Sequence, residues 1–459
     1  MQSLKKIKTP EFLDGVNKIF FVGIGGIGVS ALAKLFLAQG KKVFGSDKYS
    51  SEITDSLKKH GIQVFIGHKK QNLDCDTDLL IYSPAVPIDV PERKLAIKLG
   101  IKQLSYPEVL GLISKDKYTI AVSGTHGKST TTAMLGLILV NAGLDPTVIV
   151  GSKIKYPGWD ENLKIGKGKY FVVEACEWRA HMLELNPKII ILTNLESDHL
   201  DYYKTFNNLK NNFKKYIKKL SRDGLLIFNA DDKDCVEMAK LAKCKSIGYN
   251  IKSGLDFSLK VPGQFNIYNA LAAKTCALAL KVKPQIIRNT LTNFKGIWRR
   301  FEIIEADKHG YTRLSAGRQG FTSKITLISD YGHHPTALKK TLEAAKQRYP
   351  KRRLVVVFQP HQFDRTRRLF NKFVKAFDLA DLIILNEIYD VPGRETIKKI
   401  SSNDLVEKLK KRGLSAVFTK NLKETKKAVI KNIKQDDVVL IIGAGDIYKL
   451  STELVGSCH

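Results

Sequence analysis

Short apolar runs alternate with amphipathic stretches along almost the whole chain, the pattern of strands and helices layered around mainly parallel sheets. The first block reads as strand KIFFVGIG, helix GVSALAKLFLAQG, strand KKVFGSD and helix EITDSLKKHG. Strand LLIYSPAV and helix PERKLAIKLG follow, and the block ends near SYPEVLGLISKDK. A fresh strand, YTIAVSG, opens a second block with strands YFVVEAC, KIIILTNL and GLLIFNADD; helices NIYNALAAKTCALAL and KPQIIRNTLTNF close it. The third begins at GIWRRFEII and carries strands RLVVVFQPH, DLIILNEIY and DVVLIIGAG. This predicts an α/β protein of three domains, over residues 1–114, 115–295 and 296–459. The stretch KHGYTRLSAGRQGFTSK (308–324) lacks the pattern and reads as an exposed basic loop.

Two glycine turns fall between a strand and a helix. Gly23, Gly25, Gly26 and Gly28 form the first, with Asp47 ending the next strand about 20 residues on. Such glycines let the backbone approach a pyrophosphate, and the helix N-terminus attracts its charge. The pyrophosphate belongs either to NAD or to a UDP-sugar. The second turn runs Gly124-Thr125-His126-Gly127-Lys128-Ser129-Thr130. It resembles a phosphate-binding loop shortened by two residues, with Lys128 for β/γ phosphates and Ser129 for Mg2+. The expected cofactors are therefore ATP and Mg2+. Two anion cradles in consecutive domains suggest two phosphorylated ligands brought together, and an NAD-dependent dehydrogenase would leave the Lys128 loop idle. The first domain is expected to be Rossmann-like and the central one P-loop ATPase-like. Glu174 and His199 follow apolar strands, where α/β sheets bind ligands, and offer a carboxylate and an imidazole to a divalent cation; Asn194 adds an amide. A histidine in that place equally caps a helix.

Composition adds little except charge. The formal net charge of +31 suits nucleic acid, but no helix-turn-helix, zinc finger or aromatic-interleaved basic stripe accompanies it. Lys-rich helices such as NNLKNNFKKYIKKL read as solvated faces, and a basic enzyme steers anionic substrates. The six cysteines (75, 176, 235, 244, 276 and 458) form no CxxC pair and are expected to be reduced. The opening MQSLKKIKTPEFLDG has no apolar signal block, and no run approaches the length that spans a bilayer, so a cytoplasmic protein without membrane insertion is expected.

Seven boxes in order, GTHGKSTT, EACEW…TNLESDHLDYY, FNIYNALAA, WRRFE, SDYGHHPTAL, FQPHQFDRTRRLF and GAGDI, make the chain resemble the Mur ligase family over essentially its whole length. The family forms amides with ATP in peptidoglycan precursor synthesis, which adds cell shape, division and wall growth to the expected roles. The resemblance implies a Rossmann-like third domain that brings the amino acid and closes on ATP. GIGGIGVSALA, GSD and DYGHHPT look most like the branch that joins L-alanine to UDP-N-acetylmuramic acid; a recycling branch that adds a tripeptide is the rival. By this resemblance Gly23 to Gly28 and Asp47 carry the UDP-sugar, and the Gly124–Thr130 loop with Asn266, Asn269, Arg300 and Asp330 binds ATP. Ser129, Glu174 and His199 ligate Mg2+, and Tyr331, His333, His361 and Arg365 form the amino-acid pocket. Lys128, Glu174, His199 and His333 would carry catalysis, His333 either accepting the amine's proton or orienting the ligand. The chain departs from the family at Cys176, where an Asp is usual, and at Gln362, where the amino-acid box usually has a cation. The number of subunits is expected to be one or two.

Overall fold

The computed structural model describes residues 11–304, 312–316, 321–390 and 399–455. Three sheets account for its strands. The first comprises β1 (Lys18–Val22), β2 (Lys42–Asp47), β3 (Gln63–Ile66), β4 (Leu79–Tyr82) and β5 (Lys102–Ser105), all parallel, in the order β3-β2-β1-β4-β5. β1 is almost wholly apolar because both its faces are covered, as a central parallel strand requires. The order reverses between β1 and β4, and the first glycine turn leaves the carboxyl end of β1 at that crevice, where open α/β sheets bind ligands.

The second sheet runs β6 (Tyr118–Ser123), β7 (Thr147–Ile149), β8 (Leu163–Lys164), β9 (Tyr170–Ala175), β10 (Ile189–Leu192), β11 (Leu225–Asn229) and β12 (Lys245–Tyr249). Its order is β12-β11-β10-β6-β9-β7-β8, and β8 alone is antiparallel to its neighbour. β6 lies between β9 and β10, so three carboxyl ends surround the second glycine loop.

The third sheet holds β13 (Glu302–Ile304), β14 (Thr312–Ala316), β15 (Phe321–Asp330), β16 (Leu354–Phe358), β17 (Leu382–Asn386), β18 (Ala416–Thr419) and β19 (Val438–Ile442). The path is β13-β15-β19-β16-β17-β18, with β14 hydrogen-bonded to β15. Val356 and Phe358 of β16 join one core with Phe373 and Phe377, while Val355 and Val357 join another with Ile441. Here the expected basic loop over 308–324 is corrected. Thr312–Ala316 pairs antiparallel with Phe321–Ile325 as a ribbon; the remaining residues of that stretch lie outside those described. Antiparallel pairing rests on backbone hydrogen bonds and needs no apolar run, so the sequence pattern missed it.

The described chain forms two compact units. The first holds the first two sheets; the second holds the third sheet with His199–Asp201 and Phe257–Ile267. Within the first unit one core runs from Leu13 and Phe36 to Phe171 and Tyr216. Polar contacts reinforce it. Lys34, 4% exposed on the helix Ile27–Ala38 that follows the first glycine turn, pairs with Asp160 (3.2 Å) and Glu161 (3.7 Å). Asn162 donates to the Ile27 carbonyl and to Ser30 Oγ, the latter at 3.2 Å. Lys34→Ala is therefore expected to lower the stability of this unit by about 2 kcal/mol in urea titration. That is less than the ~3–5 kcal/mol of a fully buried pair, because the carboxylates reach solvent; a loss below about 0.5 kcal/mol would contradict the pairing.

Candidate active site

After Ser123 the chain turns through Gly124, at φ +128°, to Gly127, at φ +86°, which caps the helix Lys128–Asn141. The missing two residues are explained by what holds the spacer. Thr125 N donates to Asn194 O (3.0 Å), and His126 N to Asn194 Oδ1 (2.9 Å). Asn194 Nδ2 donates back to the His126 carbonyl at 2.9 Å. Glu196 N donates to Thr125 Oγ1 (2.9 Å), and the His126 ring sits 3.0 Å from Glu196 Oε2. The segment 193–196, leaving the neighbouring strand β10, thus straps the loop from outside. Both ends of the Asn194 amide serve this strap, so the structure gives that side chain a loop-shaping role where a cation-binding one was expected. Gly127 meets a second wall: a Cβ there would come within 2.3 Å of Asn269 Oδ1, which accepts from Thr131 Oγ1 at 3.2 Å.

Lys128, Ser129 and Glu174 converge. Lys128 Nζ donates to the carbonyls of Gly124 (2.6 Å) and Thr125 (3.1 Å) and pairs with Glu177 Oε2 at 2.8 Å. Burial is the largest single influence and pulls this amine's pKa down, but the acidic groups around it, Glu177 foremost, together outweigh it and hold the amine above its ordinary range. Ser129 Oγ donates to Glu174 Oε2 at 3.1 Å, and Gly151 N donates to the other oxygen. A hydroxyl touching a carboxylate is a pair of hard oxygen donors, the set a magnesium ion takes. Cys176 borders the same cluster and keeps solvent-exposed surface. Enclosure by surrounding atoms and then the Glu177 carboxylate push its thiol up to about 12, so it is protonated at neutral pH. The five described cysteines are free thiols.

The first glycine turn is built by its own acid: Asp47 Oδ2 accepts from Gly25 N at 2.8 Å. At Gly28 a Cβ would lie 2.6 Å from the Tyr106 ring and hydroxyl. Tyr106 opens the helix that follows β5, behind a Ser105–Glu108 capping box. Burial raises its phenol pKa, with smaller contributions from the charges of Glu174 and Cys176. Sequence reading missed it; its position just past a strand's carboxyl end was the available signal.

In the second unit Tyr331, His333, His361 and Arg365 gather. His333 Nδ1 lies 3.1 Å from the Tyr331 carbonyl, and its ring is 5.5 Å from that of His361. Arg365 reaches the His361 ring and carbonyl at 3.3 Å. Tyr389, not singled out from sequence, stacks on His361 at 5.6 Å and 5°. Gln362 sits at φ +74° with its N–H on the Tyr389 carbonyl, 3.0 Å away. The two adjacent histidines separate in role: His334 is buried and caps the helix Pro335–Arg348, accepting from Thr336 N. Of the paired arginines, Arg299 is buried beneath Gly443 and Gly445 carbonyls, whereas Arg300 lies over the Tyr331 ring at 4.8 Å. Asp330 is buried and accepts from Phe301 N and Gly332 N at 2.7 Å each; burial raises its pKa. Asn266 donates to the Pro262 carbonyl at 2.7 Å. His199, at φ +53°, precedes the short helix Leu200–Tyr203 and belongs to the second unit, apart in that sense from Glu174.

Three family profiles match the chain: "Mur ligase family, catalytic domain" over 18–118, "Mur ligase middle domain" over 122–258 and "Mur ligase, glutamate ligase domain" over 316–445. A UDP-N-acetylmuramate–L-alanine ligase of Clostridium botulinum is 39% identical, covering 96% of this chain and 98% of its own length. The corresponding enzyme of Clostridium tetani is 38% identical with the same coverage. The crystal structure of a UDP-N-acetylmuramate-alanine ligase from Thermotoga maritima aligns with a TM-score of 0.80 at 30% identity, over 96% of this chain and 98% of that one. A murein peptide ligase from Psychrobacter arcticus shares the fold, with a TM-score of 0.71 at 22% identity over 96% and 98% of the two chains. The strap makes a direct prediction. Asn194→Ala removes two hydrogen bonds to the loop and is expected to weaken ADP binding about tenfold, roughly 1.4 kcal/mol, in calorimetric titration. Unchanged affinity in a folded variant would show that the loop holds its shape without the strap.

Proposed function

The chain belongs to the Mur ligase family, and on that premise we propose that it joins L-alanine to the lactyl carboxylate of UDP-N-acetylmuramic acid at the expense of ATP, a step of peptidoglycan precursor synthesis that serves wall growth, cell shape and division. The observation that carries this reading is that both cradles belong to one compact unit, the Gly23–Gly28 turn held by Asp47 and the Lys128 loop with Ser129 set on Glu174. A diphosphate at the first turn and a triphosphate at the Lys128 loop then belong to one reaction.

A carboxylate is a poor acylating agent. Its oxygen therefore takes the γ-phosphoryl group of ATP, releasing ADP, and the acyl phosphate so formed loses phosphate when the amine of alanine attacks the acyl carbon. Charge grows on the transferred phosphoryl oxygens, and Lys128 is the cation that would neutralise it. A bound Mg2+, held by Ser129 and Glu174, with His199 as the further ligand the family resemblance implies, would supply further neutralisation of phosphate charge. The amine is nucleophilic only when deprotonated. With Nδ1 of His333 donating to the Tyr331 carbonyl, the neutral ring presents Nε2 as an acceptor for that proton. Tyr331, His361 and Arg365 receive the amino acid, Arg365 facing its carboxylate; Asn266, Asn269, Arg300 and Asp330 serve the nucleoside end of ATP, and Gly23 to Gly28 with Asp47 the UDP-sugar. Domain limits near 114 and 295 fit this division of labour. The protein acts in the cytoplasm as a monomer or homodimer, without nucleic acid; no described helix is long and apolar enough to cross a membrane.

The tripeptide-adding and dehydrogenase readings are less favoured, since relatives 38% and 39% identical over 96% of the chain carry the alanine activity in their names and the Lys128 loop has no part in hydride transfer. Mass spectrometry of products from ATP, Mg2+, UDP-N-acetylmuramic acid and mixed amino acids with tripeptide is expected to give the L-alanine adduct. A tripeptide adduct, or none, would overturn the reading. Lys128→Ala is expected to lower turnover at least ~1,000-fold while UDP-sugar binding persists. Loss of both would contradict the separate roles of the two cradles.

A further inference from the structure

Glu177 has no role in the reading above, yet it holds the group on which phosphate binding turns. We propose that Glu177 is a positioning residue of the nucleotide site: its carboxylate fixes the Lys128 ammonium against the carbonyls of the short loop, so that the amine meets the terminal phosphates already in place. The inference rests on the assignment of that loop to ATP.

Three observations carry it. Glu177 is 2% exposed and its Oε2 lies 2.8 Å from Nζ of the largely enclosed Lys128, within ion-pair distance. The other carboxylate of the cluster, Glu174, is engaged by Ser129 and Gly151 instead. The backbone behind Glu177 is strained to aim it. Arg179 and Ala180 both adopt left-handed conformations, at φ +48° and +59°, which cost non-glycine residues of order 1 kcal/mol or more each. Such a pair persists only where its surroundings impose it, and here buried Tyr203 does so. Its hydroxyl donates to the Glu177 carbonyl and accepts from Ala180 N at 3.2 Å, while Met182 N closes the turn on the Cys176 carbonyl at 2.9 Å.

Lys128 Nζ is thus held on three sides, by the Glu177 carboxylate and by the carbonyls of Gly124 and Thr125. An amide in place of the carboxylate keeps the shape but loses the charged contact, so the ammonium is no longer fixed where the phosphates arrive.

The test is calorimetric titration of the full-length protein with ADP and Mg2+ at pH 8.0 in wild type, E177Q, E177D and Y203F. E177Q is expected to bind ADP at least tenfold more weakly, and E177D, which restores the carboxylate, to stay within threefold of wild type. An E177Q affinity within threefold of wild type, or an E177D loss equal to that of E177Q, would overturn the proposal. Should E177Q fail to fold by circular dichroism, Y203F decides: it keeps the carboxylate but unpins the backbone that carries it, and is expected to bind ADP at least threefold more weakly, unchanged affinity being the contrary result. A wild type that binds no ADP would instead overturn the nucleotide assignment itself.

Discussion

The first unit depends on a strap. A phosphate-binding loop two residues shorter than usual has too little backbone to fold around an anion unaided, and here Asn194 and Glu196 hold it open from the neighbouring strand. The strap fixes Gly124 and Gly127 in left-handed conformations, Gly127 fixes the start of its helix, and the helix presents Lys128 and Ser129 to Glu174. Each step follows from the parallel order of β9, β6 and β10, which puts three strand ends beside one another. With that order changed, the boxes would be present in the sequence and absent as a site.

The same sheet geometry explains what was legible from the chain alone. Lys128, Ser129 and Glu174 stand at the ends of continuous apolar runs, and buried central strands announce themselves by such runs. That Tyr331, His333, His361 and Arg365 gather was readable for the same reason, since His333 follows β15 and His361 follows β16. Short strands at or near sheet edges were not: β3, β5 and β18 have only four residues each and half-polar faces, so their pairing rests on neighbours rather than on pattern. Tyr106, Glu177, Tyr203 and Tyr389 escaped because their meaning is relational. Nothing in LSYPEVL says that its tyrosine covers a glycine nearly eighty residues earlier.

Chemically, the two cradles divide one task. The first turn is a cradle of the kind that accepts a diphosphate through backbone amides and a helix N-terminus. The second concentrates an ammonium, a hydroxyl and two carboxylates in a space from which Cys176 contributes no charge at neutral pH. An acyl phosphate hydrolyses in water, so the amine must reach it promptly. The strong positive charge of the chain fits substrates that are all anionic or zwitterionic.

The claim at the centre of this account is that one carboxylate, presented by its diphosphate tail, takes the γ-phosphoryl group from the nucleotide in the neighbouring loop. It is tested most directly by labelling both lactyl carboxylate oxygens of UDP-N-acetylmuramic acid with oxygen-18 and following the phosphate released with L-alanine. Transfer through an acyl phosphate predicts one labelled oxygen in the inorganic phosphate formed per turnover. Label found in AMP, or phosphate released without label, would contradict it.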